Sequence, residues 1–434
     1  MPKLLKVLGV AFGLAIIVGN TIGAGILRTP GEVAAALPSV PLFFLVWVVG
    51  GLYALLGAAS LAELTVALPK SGGQYVYARY TFGEYVGFVV GCSDWISCAA
   101  STSLVAIALS EIATPLLGLP ASRSVAVATA LLVFFTGLNA FGTRTSDKSQ
   151  QLLSVLKVLL LVVLVGACLS VAAPVAVPSL PMPVGAPLIA ALMLSAQSVI
   201  YTYDGWNAVT YIGGEMSDSA RQVPRAMIGG VILVLVVYLL LNLGYVHALG
   251  INGMAGEKFV AAAAARRAFG ATGGLFVDVA MAVSLLGALN SLVIMTSRVP
   301  MALAEDGLLP RALARVHGGG TPIVSLIGSS LISLAFIWTG VFDRILAIAA
   351  TYFVMQYTVS FLAIFALRRR EPDLPRPYRA IGYPFVPAIA LIGSIAFLVA
   401  GFFGDTESSV KALVSIVLSY PIFLLIKRSM PSKV

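Results

Sequence analysis

"GNTIGAGILRTPG", residues 19–31, follows without a pause on the apolar run "VLGVAFGLAIIV" at 7–18. The chain has begun what reads as a membrane helix, and then places an Asn, two Thr and three Gly at its centre, with Pro30 and Gly31 just beyond. Unwinding a helix in hydrocarbon leaves amide and carbonyl groups unpaired at several kcal/mol each, so a break survives only where it is buried in protein or lines a polar cavity. There it becomes useful. The second half-helix starts with free N–H groups and a positive dipole end that favour an anion, and the first ends in free carbonyls that favour a cation. Glycines let a ligand approach the main chain. In "TIGAGI", Thr21 to Ile26, the amides of Ala24 and Gly25 suit a carboxylate and the carbonyl of Thr21 suits an ammonium; Ile22 and Gly23 lie between them. The plainer alternative is a close helix-packing face made by Gly19, Gly23 and Gly25.

The rest of the chain fits that setting. Of 434 residues, 59% are hydrophobic and 10% charged, against about 25% charged in soluble domains. Apolar runs of membrane-crossing length recur throughout, at 8–36, 41–68, 84–112, 123–141, 150–172, 187–217, 226–249, 271–303, 322–340, 343–367, 384–404 and 409–427. The expected class is an all-α polytopic membrane protein with 12 transmembrane helices. The runs are continuous and do not alternate, which excludes a β-barrel.

The net charge of +9 lies in short loops without aromatic interleaving, so it points to topology rather than to nucleic acid. Basic residues crowd the loops on one side (Lys70, Arg79, Arg144, Lys148, Arg221, Arg225 and the run "RRREPDLPRPYR" at 368–379). They are sparse on the other (Arg123, Lys258, Arg266, Arg267, Arg344, Lys411). By the positive-inside rule both termini are cytoplasmic. The run at 368–379 is read as a topology determinant in preference to a lipid-headgroup patch. "MPKLLK" precedes a long span with no small-residue cleavage site, so the N-terminus is expected to be retained. Cys92, Cys98 and Cys168 all lie in apolar segments, which argues against a disulfide framework.

A second interrupted span carries "YTYDGWNAVTYIGG" at 201–214, with Asp204-Gly205 and Trp206-Asn207 at mid-span. The two breaks open blocks of five spans each, and an odd number gives the blocks opposite topologies. Paired interrupted helices in corresponding positions of two halves point to a transporter binding site. The expected division is 1–186, 187–370 and a peripheral 371–434. The loop "INGMAGEKFVAAAAARRAFG" at 251–270 suggests a short helix over the outer face, either a lid or a solvated connector.

Ionisable residues within spans are functional candidates by default. Lys157, in "SVLKVLLLV", is one; it can be a structural cation, a proton carrier, or a lysine snorkelling to the interface. Asp204 can cap the second half-helix, meet a ligand amine or carry a proton. Asp94, in "GCSDWIS", needs a partner among Tyr, Ser or Lys157. Tyr201, Tyr203 and Trp206 are either gates or packing, Tyr201 and Tyr203 also count among the candidate substrate-binding residues, and Ser97, Cys98 and Ser101 are candidate pocket residues. Enzymatic readings find no support. "FFGD" at 402–405 is not a GxGD context for a second aspartate beside Asp204. There is no HExxH, GxSxG or phosphate-binding loop, and neither a metal site nor a cofactor is expected.

Taken in order, "GNTIGAGI", "PKSGGQYVYAR" (69–79), "YDGWNAVTYIGGEM…QVPRAMIGG" (203–230), "GALNSLVIMTSR…AEDGLLP" (287–310) and "RPYRAIGYPFVP" (376–387) resemble the amino acid–polyamine–organocation superfamily, most nearly the L-type amino-acid transporter branch and its bacterial relatives. The resemblance implies the leucine-transporter fold, a 5+5 inverted repeat with broken helices 1 and 6 plus two peripheral spans, in a cell membrane. It implies sodium-independent amino-acid transport by alternating access, usually as an exchanger (antiporter); a proton-coupled symporter, or an amino-acid sensor of the same fold, are the alternatives. It places the substrate carboxylate on the amides of Ala24 and Gly25 beside Gly23, and the amine on carbonyls of Thr21, Tyr201 and Asp204, with Asn290 nearby. It also puts Lys157 where sodium-coupled relatives bind a cation. The loop "ATPLLGLPAS" at 113–122 lacks the cysteine that joins eukaryotic members to a heavy chain, so no disulfide-linked partner is expected. Asp204 stands where that branch has glycine. The expected substrates are neutral amino acids, the expected surroundings membrane lipids, and no nucleic acid is expected.

Overall fold

The computed structural model describes residues 4–23, 25–172, 178, 180–340 and 342–429. It is built of helices: α1 Val10–Thr21, α2 Gly25–Ala36, α3 Val40–Ala67, α4 Tyr75–Phe82, α5 Glu84–Leu116, α6 Ser124–Ala140, α7 Thr143–Ser170, α8 Ala186–Thr202, α9 Ser219–Leu249, α10 Ile251–Met254, α11 Val260–Phe269, α12 Gly273–Glu305, α13 Ile323–Thr339, α14 Phe342–Arg370, α15 Phe385–Gly404 and α16 Thr406–Ser429. No β-strand is present among the described residues. Among the described residues, nine helical stretches are long and apolar enough to cross a membrane, and ten if the bent pair α1 and α2 counts as one. The apolar helices α8 and α13, of 17 residues each, account for the two remaining runs.

The first and sixth runs break where the sequence is polar and glycine-rich. α1 ends at Thr21, α2 starts at Gly25, and the two are bent by 50°. α8 ends at Thr202, and the chain passes through a turn into a 3₁₀ segment, Ala208–Glu215. The lining between the breaks comes mainly from α5, α12 and α14, and α9 reaches both breaks through Tyr238. Most of these helices are apolar all round, as expected of elements buried in lipid and protein together. α12 is the most enclosed, packed against α5, α7 and α13.

The two ends of the bundle differ. At the end carrying Leu8, here called the Leu8 face, the chain is closed. The Leu8 amide donates to the Glu215 carbonyl at 3.1 Å and the Ser217 amide donates to the Leu8 carbonyl at 3.0 Å. The amides of Gly72 and Gly73 donate to the carbonyls of Tyr211 and Thr210. Both glycines have positive φ, and a Cβ on Gly73 would lie 2.7 Å from the Tyr211 ring. Below this plug, Arg298 and Glu215 form a buried two-point ion pair, Nε–Oε1 3.1 Å and Nη2–Oε2 3.0 Å, with Ser71 donating to Glu215 at 3.3 Å.

The arginines at 368–379 are partly consumed inside the protein. Arg368 and Arg376 pair with the buried Glu63 of α3, Arg370 donates to the Thr81 carbonyl, and the Arg368 guanidinium lies over the Tyr383 ring. The 251–270 loop is not a solvated connector: Val260, Ala261, Ala264 and Ala265 of α11 are buried, the Gly256 amide donates to the Gly31 carbonyl, and Arg28 covers Phe259.

Candidate functional site

The two breaks face each other. Gly205, at φ +106, is so close to the first break that a Cβ there would meet Asn20 Nδ2 at 2.7 Å and Thr21 Oγ1 at 3.0 Å. Gly25 is equally close to the second, with Thr202 Cγ2 2.9 Å from an added Cβ. From α9, the Tyr238 hydroxyl reaches the carbonyls that end both half-helices, Thr21 at 2.9 Å and Thr202 at 3.0 Å.

The carbonyls on the other flank of α1 are met by α7 and α12. Lys157 is fully enclosed, and its ammonium lies 2.6 Å from the Ile22 carbonyl, 3.0 Å from Gly19 and 3.4 Å from Val18. Ser284 of α12 also donates to Ile22, at 2.8 Å. One and two turns along α7, Ser154 and Gln150 donate to the Ala15 carbonyl. Lys157 therefore caps a helix C-terminus, where a cation is stabilised by the dipole and by the unpaired carbonyls. This placement leaves no part of the ammonium at an interface, which removes the snorkelling alternative.

Between the breaks lies a cavity of about 230 Å³ lined by Asn20, Thr21, Gly25, Cys98, Ser101, Leu104, Val105, Tyr201, Thr202, Asp204, Asn207, Tyr211, Leu292, Met295, Phe353 and Tyr357. It falls below the roughly 300–1,000 Å³ of drug-sized pockets, as suits a smaller ligand. A larger cavity of about 610 Å³ adjoins it toward the opposite end of the bundle, the Ala36 face, reaching Glu32, Thr351 and Asp405. Tyr201, Asp204, Phe353 and Tyr357 line both and so stand between them. The only charged side chain lining the smaller cavity is Asp204, which accepts a hydrogen bond from Tyr357. Thr21 Oγ1 is buried without a hydrogen-bond partner among the described residues.

Of the expected residues, Thr21, Gly25, Tyr201 and Asp204 line this cavity, as do Cys98 and Ser101. Gly23 is beside it with open space where a Cβ would be, and Ala24 lies outside the described residues. Ile22 is buried with its carbonyl held by Lys157 and Ser284. Tyr203 packs between Trp47 and Tyr238, its hydroxyl donating to the Trp47 carbonyl, so it is core rather than gate. Trp206 lines the larger cavity and stacks on Tyr357 with ring centroids 5.1 Å apart. Ser97 is buried outside both linings. Asn290 is not brought to the cavity: its amide is engaged by Gln150, Asn139 and Ser149.

Asp94 finds its partner in Tyr211, whose hydroxyl donates at 2.8 Å, with Cys98 at 3.5 Å. The cysteines are free. Sequence reading missed Tyr238, Tyr211 and Tyr357. Their one signal is a phenol in an otherwise apolar stretch, as in "LVVYLLL" around Tyr238.

The fold and this site define a class: a polytopic helical membrane protein with a small central cavity built on the apposed ends of two broken helices. The chain belongs to the amino acid permease family, whose defining pattern matches residues 5–426, within the superfamily that its motifs resemble. It is 28% identical to the serine/threonine exchanger SteT of Bacillus subtilis, over 98% of this chain and 97% of that one. It is also 28% identical to the human Asc-type amino acid transporter 1, over 97% of this chain and 82% of the relative. The same identity links it to the mouse large neutral amino acids transporter small subunit 2, over 86% of this chain and 72% of the relative. These relatives are transporters, not enzymes.

Proposed function

We propose that the protein is a secondary transporter that carries neutral amino acids across a cell membrane by alternating access, without sodium and by one-for-one exchange. The observation that carries this reading is the pairing of the two breaks around one small cavity, with Lys157 seated on the carbonyls of α1. A fixed ammonium there supplies the positive charge that a bound cation would otherwise have to bring.

In this reading the substrate ammonium meets the carbonyl ends of α1 and α8, at Thr21 and Thr202, with the carboxylate of Asp204 close by. The substrate carboxylate meets the first amides of α2 from Gly25 on, which have no partner within the helix. The unpartnered Thr21 hydroxyl supports it, because a buried polar group left unpaired in a native protein calls for a ligand or water. With no basic side chain in the lining, anionic side chains are disfavoured. Tyr201 and Tyr357 close the site toward the larger cavity. The Leu8 face is the cytoplasmic one on the basic-loop argument, and the conformation is then open outward and closed inward. The five-plus-five division of 1–370, with peripheral helices after it, is part of the same proposal, as is function without a disulfide-linked partner.

The test is uptake of radiolabelled alanine, serine and leucine into liposomes carrying the purified protein, sodium absent, preloaded with unlabelled amino acids or with buffer. Uptake only into preloaded vesicles, indifferent to a pH gradient, is expected. Uptake into empty vesicles that rises with inward proton drive would make the protein a symporter, and binding without uptake would make it a sensor.

A further inference from the structure

Asn290 is placed by family resemblance beside the substrate, yet in this fold it does something else. A chain of primary amides runs through the protein from α6 to α1. Asn139 Nδ2 donates to the Phe135 carbonyl at 2.8 Å and to Asn290 Oδ1 at 2.9 Å. Asn290 Nδ2 donates to Gln150 Oε1 at 2.7 Å, and to Ser149 Oγ at 3.3 Å. Gln150 Nε2 donates to the Ala15 carbonyl at 3.2 Å, and to Ser154 Oγ at 3.4 Å. Asn139, Asn290 and Gln150 each show 0% exposure.

The main-chain acceptor at Ala15 fixes the direction of the chain from Asn139 to α1. The Ala15 carbonyl can only accept, so Gln150 must turn its nitrogen to α1 and its oxygen to Asn290, and Asn290 its nitrogen to Gln150 and its oxygen to Asn139, whose amide nitrogen serves both Asn290 and the Phe135 carbonyl. Turning one amide over would set oxygen against oxygen. The last amide fits closely: a Cβ on Gly19 would lie 1.9 Å from Gln150 Nε2. Gln150 thus occupies the groove that Gly19 leaves in α1, one turn from the carbonyls that Lys157 holds.

We propose that Asn290 and Gln150 are positioning residues of the transport site: they fix where the first half-helix ends by gripping its main chain at Ala15, and neither touches substrate. The proposal rests on the reading of the break as the substrate site. A neutral amide chain suits this role because it is directional and rigid and adds no charge beside Lys157. A buried amide that loses its partner keeps its full desolvation cost, whereas replacing both partners by apolar groups of like shape is close to neutral. The two residues should therefore act as one unit.

The test is a double-mutant cycle on the full-length purified protein with Asn290→Leu, Gln150→Met and both together, reading the Kd for radiolabelled alanine and serine on the monodisperse fraction. Each single substitution is expected to weaken binding about tenfold, one buried hydrogen bond's worth, and the double to weaken it no more than either single. A purely scaffold role would reduce the yield of folded protein and leave its Kd unchanged. Additive losses, or a loss with Asn290→Leu but none with Gln150→Met, would overturn the proposal and return Asn290 to the substrate. Should the singles fail to fold, Asn290→Asp, which keeps the shape and the acceptor for Asn139 but loses the donor to Gln150, must still weaken Kd. A parallel Gly25→Leu separates the two layers. If it binds normally, the break is not the site and the proposal falls with it. If it fails to bind while the cycle is additive, only the relay falls.

Discussion

Replacing Glu215 by Gln should loosen the Leu8 face. The Glu215 and Arg298 side chains are 0% and 2% exposed, and the pair makes two direct contacts, so little water screens it. Removing one partner of such a buried pair costs about 3–5 kcal/mol, because the remaining charge stays buried and uncompensated. Arg298 would keep Ser297 and the Ile294 carbonyl, and the Ser71 hydroxyl would keep an amide oxygen to donate to, which places the expected cost at the lower end. On the alternating-access proposal the pair parts as the Leu8 face opens, so the closed arrangement alone loses it. About 3 kcal/mol corresponds to a shift of roughly 150-fold toward the state open on that face. The assay is alkylation of Ser101→Cys, in protein lacking Cys92, Cys98 and Cys168, by a membrane-impermeant thiol reagent applied to each side of oriented vesicles. Glu215→Gln should speed labelling from the Leu8 face and slow it from the Ala36 face. A further Arg298→Met should restore thermal stability, since a buried pair replaced by neutral groups of similar volume is often tolerated, while leaving the face open. Labelling rates unchanged on both sides in Glu215→Gln would refute the reasoning.

Lys157→Met should abolish uptake and lower the melting temperature, because charged hydrogen bonds contribute about 1.5–3 kcal/mol each; the Ile22 carbonyl keeps Ser284 and the Val18 carbonyl keeps the Ile22 amide, but the ammonium's contacts to all three are lost, and uptake at the wild-type rate would contradict this. Gly205→Ala forces a Cβ against Asn20 and Thr21 at a backbone angle costly for any other residue, about 1–3 kcal/mol, so substrate affinity should fall while the fold, checked by circular dichroism, persists. At the start of α16, Asp405 accepts from the Ser408 amide at 3.0 Å, which holds its carboxyl below the ordinary range. That cap is fully present at neutral pH and fades as pH falls through the lowered pKa. Protection factors for amide exchange at 407–411, taken against the intrinsic rate at each pH, should therefore fall in acid, and should be low at all pH values in Asp405→Ala.

The breaks were legible because hydrocarbon tolerates so little: an Asn, a pair of glycines or an Asp-Gly in an apolar run has few physical excuses. Lys157 stood out for the same reason, but not which carbonyls of α1 its ammonium meets. What lines the cavity was less so. A soluble helix advertises its inward face by an apolar stripe, but α9 and α12 are apolar on every side, so no periodicity says that Tyr238 points to both breaks or that Asn290 points away from them. Tyr203 and Trp206 sit in one short segment of like composition, yet one is core and the other lines a cavity, a difference set by the turn at Gly205 and not by residue type.

The Tyr238 hydroxyl has one hydrogen, and two helix-ending carbonyls lie within its reach. That proton serves one of them well or both poorly. On the proposed function the two carbonyls are short of donors, and a substrate ammonium, with three hydrogens, makes up the shortfall. Selectivity against molecules without an amine needs no clash and no repelling charge: such a molecule would displace water and leave a carbonyl unmet, which in a buried site costs about 1–3 kcal/mol. In that proposal discrimination would come from a lack, which a ligand bearing an amine fills.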